Sequence, residues 1–187
     1  MSLIERCRER RRHGEEDEGF TLIELLVVLL IIGILLAIAI PTFLSITKGA
    51  NGTAAQSNLQ TALTGVDSYY TTGGQTYNGL TTSTQYSTIN QIDTGLSFVT
   101  AASKGAHDIS YSVPSNGSAI TLVDYAPGQN DCWGIVDIKS TQTTAIFGET
   151  QVGTYYFVAN KGAATPSTCT ATGVTVDTIQ AGKFPAG

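Results

Sequence analysis

Beyond Arg12 this chain of 187 residues contains no arginine. Its positive charge comes from Arg6, Arg8, Arg10, Arg11 and Arg12 at the start and from five scattered lysines afterwards, against fifteen acids overall. A nucleic-acid interface needs a basic patch or stripe; without one, no direct nucleic-acid binding is expected. Histidine is scarce, with only His13 and His107. His107 is therefore read as a loop residue, and the chain has no His-Glu-x-x-His, no Gly-x-Ser-x-Gly and no Gly-rich phosphate loop ending in Lys-Ser/Thr. Asp124, Asp131 and Asp137 do not follow the spacing of a calcium loop and are read as a solvated face and turn. No catalytic residue, metal or cofactor is expected, and a membrane-anchored enzyme or receptor domain is the weakest reading.

Cysteine is sparse as well. Cys7, Cys132 and Cys169 include no Cys-x-x-Cys pair, which argues against zinc or redox chemistry. Cys132 and Cys169 are an even pair in a region expected to lie outside the membrane, where disulfides persist. A bridge would close a loop of about 37 residues and contribute roughly 3–4 kcal/mol; the alternative is two free, buried thiols.

What the chain has instead is one long apolar run, Leu25 to Ile40, entered through Gly19-Phe20-Thr21-Leu22-Ile23-Glu24. About 20 apolar residues suffice for a helix to cross a bilayer. Glu24 lies within this helix's first turns, and an ionisable group there costs up to roughly 2.5–3.5 kcal/mol at mid-span, less near the end. The arginines ahead of the span favour a cytoplasmic N-terminus and an outer C-terminal bulk.

The stretch GFTLIELLVVLLIIGILLAIAIP, Gly19 to Pro41, resembles the class III signal sequence of type IV pilins and pseudopilins. The resemblance implies cleavage by a prepilin peptidase between Gly19 and Phe20, and N-methylation of the new Phe20 amine. The apolar core follows the cut, so the anchor stays on the mature chain and Cys7 leaves with the leader. It further implies that Glu24 pairs with the Phe20 amine of a neighbouring subunit, setting register as each subunit joins a homopolymeric filament. Buried opposite charges are far less costly together than alone, in keeping with such a pair. The other reading of Glu24 is a carboxylate favoured by the helix dipole. The segment Gly33 to Pro41 is implied to unwind on assembly; the residues themselves indicate a kink at Pro41.

From Thr42 the pattern turns amphipathic: Ala55, Leu59, Ala62, Leu63, Val66, Tyr69 and Tyr70 recur at three- and four-residue steps. Gly49 and Gly52 weaken the middle of the helix by about 1 kcal/mol each, and a second bend is expected there. Helix from 20 to 70 would be roughly 75 Å long at 1.5 Å per residue. A head of ordinary size cannot cover that length, so the first half needs lipid or other subunits. The expected organisation is a leader (1–19), a membrane or filament-core helix (20–41), its amphipathic continuation (42–71) and a β-rich head (72–187).

A short helix is expected at 84–92, then strands at 109–113, 119–125, 133–139, 154–159 and 174–179, with Asn116-Gly117 as a hairpin turn. This is an α+β order, a long helix followed by a mostly antiparallel sheet. Asn51-Gly52-Thr53 and Asn116-Gly117-Ser118 match the N-glycosylation pattern and are read as chance in so polar a chain.

The resemblance implies a pilus subunit for adhesion or twitching motility. It would be made as a single-pass precursor in the cytoplasmic membrane and exported into an extracellular filament. A pilus assembly platform protein and an ATPase would act indirectly. The alternative is a pseudopilin of a type II secretion or DNA-uptake apparatus.

Overall fold

The structure, a computed structural model, describes residues 20–80, 95–105 and 107–185. The short helix expected at 84–92 lies outside the described residues. One helix, α1 (Leu22–Thr72), is followed by β1 (Ser97–Val99), β2 (Asp108–Ser112), β3 (Ala119–Ala126), β4 (Asp131–Ile138), β5 (Gly153–Ala159) and β6 (Val176–Ala181). The chain divides into two compact units, Met1–Phe43 and Leu44–Gly187.

In the first unit α1 is almost purely apolar, and every described side chain is exposed. In the second, α1 buries Gly52, Ala55, Leu59, Ala62, Gly65, Val66 and Tyr69. This is the three- and four-residue stripe that the sequence displays. The helix assignment runs without interruption through Gly33, Pro41, Gly49 and Gly52. Pro41 cannot donate to the preceding turn, and the Thr42 hydroxyl donates to the carbonyls of Ile38 (3.0 Å) and Ala39 (2.9 Å). Gly52 has a packing reason: a Cβ there would meet the Gln129 amide oxygen at 2.0 Å. The neighbouring Asn51 side chain donates to the Pro127 carbonyl at 2.7 Å, so the β3–β4 turn sits directly on the helix.

The six strands lie in sequence order; β1 pairs with β2 in parallel and all later pairs are antiparallel. β1 is absent from the sequence reading because three residues, Ser-Phe-Val, carry no alternation to detect. Both sheet faces are buried. Ile120, Leu122 and Ala126 of β3, with Trp133 and Ile135 of β4, join the core that contains the α1 stripe. Val123, Cys132, Val136 and Phe157 face a second core, closed by Ala164, Cys169, Ala171 and Val174 from the segment before β6. Gly134 belongs to this side. A Cβ on it would stand 2.1 Å from the Phe157 ring, so glycine lets that ring lie across the neighbouring strand.

Asp124, Asp131 and Asp137 are not a solvated face: their exposures are 0%, 5% and 2%. Period-2 alternation in a sheet buried on both sides turns each of them inward, and local donors satisfy them. Asp131 accepts from the Gly162 backbone at 2.6 Å. Asp137 accepts from the hydroxyls of Tyr77 (2.6 Å) and Thr154 (2.9 Å), and Lys139 bridges it at 2.9 Å to Asp67 of α1 at 2.8 Å. Burial opposes charge on Lys139, yet its bonds to Asp67 and Asp137 keep its pKa above the ordinary lysine value. Burial and then the Asp137 hydrogen bond push the Tyr77 hydroxyl upward. The cluster ties the end of α1 to β4, β5 and the segment following the helix.

Candidate assembly site at the helix N-terminus

The first described residue, Phe20, is 83% exposed, and α1 begins two residues later. Thr21 and Glu24 form a reciprocal cap. The Thr21 backbone N–H (2.9 Å) and hydroxyl (2.7 Å) both donate to Glu24 Oε2, and the Glu24 N–H donates to Thr21 Oγ1 at 3.3 Å. This is the capping-box arrangement of Thr-x-x-Glu, which satisfies otherwise orphaned N–H groups of the first turn. The spacing Thr21-Leu22-Ile23-Glu24 carried that signal, and the sequence reading passed over Thr21. Glu24 thus has a partner within its own chain, at the end of the helix where the dipole favours negative charge.

Behind the cap, the helix offers a continuous apolar surface. Every large exposed apolar side chain among the described residues except Val152 lies between Phe20 and Ile46. The most apolar window of 18 residues has a mean hydropathy of 3.2 and is wholly unburied. By length and composition this helix can cross a membrane. A Cβ on Gly33 would meet nothing within 4 Å, so no packing within the chain requires a glycine there.

Gly19 and Cys7 lie outside the described residues. Cys132 and Cys169 are joined in a disulfide with Cα atoms 5.6 Å apart. It pins the segment before β6 to the start of β4, on the sheet face that carries the second core. His107 is exposed in the turn before β2, and no group of three or more His, Cys, Asp or Glu able to hold a metal occurs among the described residues. Both glycosylation-pattern asparagines use their amide nitrogens internally, Asn51 toward Pro127 and Asn116 toward Gln142 Oε1 at 2.9 Å.

Residues 17–40 match the family model for the prokaryotic N-terminal methylation motif. The chain is 42% identical over 59 residues to the type IV major pilin protein PilA of Myxococcus xanthus, covering 32% of this chain and 27% of that protein. It is 49% identical over 53 residues to the type IV narrow pilus major component PilA5 of Thermus thermophilus, covering 28% of this chain and 42% of that protein. The chain therefore spans less than half the length of these curated relatives. No solved structure matches it. The N-terminal segment of the chain thus carries the prokaryotic N-terminal methylation motif and is similar to the corresponding part of two type IV pilus proteins, in a chain of α+β fold.

Proposed function

We propose that this protein is a structural subunit of a type IV pilus, polymerising through α1 into an extracellular filament. The observation that carries the reading is the exposed apolar surface between Phe20 and Ile46, most of which lies within the methylation motif at residues 17–40. Covering one large aliphatic or aromatic side chain contributes about 1.5–3 kcal/mol. Such a surface is stable in lipid or against copies of itself, and unstable in water.

In this reading a prepilin peptidase cuts after Gly19 and the Phe20 amine is methylated. Glu24 then exchanges its Thr21 cap for the amine of a neighbouring Phe20. The segment from Gly33 to Pro41 loosens as lipid is replaced by protein, and the disulfide-bridged head forms the filament surface for adhesion or motility. The related names of pilus components in two other organisms support a pilus rather than a secretion piston.

Mechanical shearing of cells tests this. A pilus subunit appears in the sheared, sedimentable fraction as a filament. Retention of the processed chain in the membrane, with no surface filament, instead supports the pseudopilin alternative.

A further inference from the structure

Asp124 and Ser103 are both fully buried, at 0% exposure. Asp124 accepts from Asn58 Nδ2 of α1 and from the Ser103 hydroxyl, each at 3.3 Å. Ser103 reaches further. Its Oγ accepts from the Tyr125 backbone at 3.0 Å, and its N–H donates to the carbonyl of Cys169 at 2.9 Å. One carboxylate therefore sits where α1, β3, the loop before β2 and the disulfide-bridged segment meet.

Among the described residues no cation is paired with it. On α1 there is no charge between Lys48 and Asp67, and the β4 residue opposite Asp124 is Trp133. In the loop and strand on its other side, Lys104 and His107 are exposed. The nearby Asp108 carries the same sign and opposes ionisation. A buried carboxylate held only by neutral donors is costly when charged and much less so when protonated.

We infer that Asp124 is a proton-operated latch within the head. Ionised, it accepts the bonds from Asn58 and Ser103 but carries an uncompensated charge where α1, β3 and the loop before β2 meet; protonated, it occupies the same junction without that cost, and the head is more stable. Burial raises its pKa, the bonds from Asn58, Ser103 and Tyr125 partly offset the rise, and the balance stands at about 7.

A folded-state pKa above the unfolded one means stability is fully present below the unfolded value, 3.8, and is lost as pH rises through about 7. Between pH 8 and pH 5 the folding equilibrium constant rises on the order of 100-fold through this group alone.

The test is chemical denaturation of the full chain in detergent at pH 5 and pH 8, wild type beside Asp124→Asn, with carbon-detected NMR titration of the Asp124 carboxyl in the wild type. The expected result is a wild-type midpoint that falls from pH 5 to pH 8 and an Asp124→Asn midpoint that does not. The NMR signal should remain that of a protonated acid through pH 6. Equal pH dependence in both proteins, or a carboxyl already ionised at pH 5, overturns the inference. If Asp124→Asn does not fold, the wild-type titration decides alone.

Discussion

Replacing Cys132 and Cys169 together by alanine is expected to lower the unfolding free energy of the head by about 4 kcal/mol. A loop of about 37 residues has that much closure entropy to lose in the unfolded chain. The effect is large because residues 160–175 contain no strand and rest on a few bonds. Ala164 N–H donates to the Asn130 carbonyl (2.7 Å), Gly162 to Asp131 (2.6 Å), and Ala171 to Ser110 Oγ (3.0 Å). Alanine is the suitable replacement, since both sulfurs are fully buried in an apolar cluster and serine would add an unsatisfied hydroxyl. The single Trp133, buried against Phe184 at 5.8 Å between ring centres, reports the transition by fluorescence. A midpoint in guanidinium that is unchanged from wild type would show that non-covalent contacts alone hold the segment.

Glu24→Ala is expected to leave cleavage largely intact and to reduce filament yield by more than tenfold. Two effects contribute and can be separated. Losing the cap costs about 1 kcal/mol of helix stability, whereas leaving a neighbour's ammonium without its partner in an apolar core costs roughly 3–5 kcal/mol. Tenfold in an equilibrium corresponds to about 1.4 kcal/mol, so the charge effect dominates. Glu24→Gln distinguishes them, because glutamine can still accept from Thr21 while carrying no charge. If registration depends on the ion pair, Glu24→Gln assembles as poorly as Glu24→Ala. Filaments of normal abundance from Glu24→Gln would reduce Glu24 to a helix cap.

Much of this architecture was legible because two periodicities are written into the chain. The stripe from Ala55 to Tyr69 gave the buried face of α1, and five of the six strands stood out as apolar runs separated by turn residues. Gly117 adopts φ 67° at the β2–β3 hairpin, the left-handed backbone that Asn-Gly favours. Burial of polar groups was not legible. Asp124, Asp131 and Asp137 look solvated in sequence because acidity argues for the surface, while their burial depends on partners distant in the chain: Asn58 for Asp124, Tyr77 for Asp137 and Gly162 for Asp131. Gly52 shows the same limit: its backbone cost is local and readable, but its purpose, room for Gln129, is tertiary. At the site itself, Glu24 was evident from its charge in an apolar run. The role of Thr21 required attention to the three-residue spacing.

The most direct test of the central claim is the intact mass and N-terminal peptide of the protein in sheared surface filaments. A pilus subunit should begin at N-methylated Phe20, lack the arginine-bearing leader, and be lighter by two hydrogens for the Cys132–Cys169 bridge. A chain found only in the membrane and still beginning at Met1 would contradict processing at Gly19, and with it the assignment of α1 to a filament core.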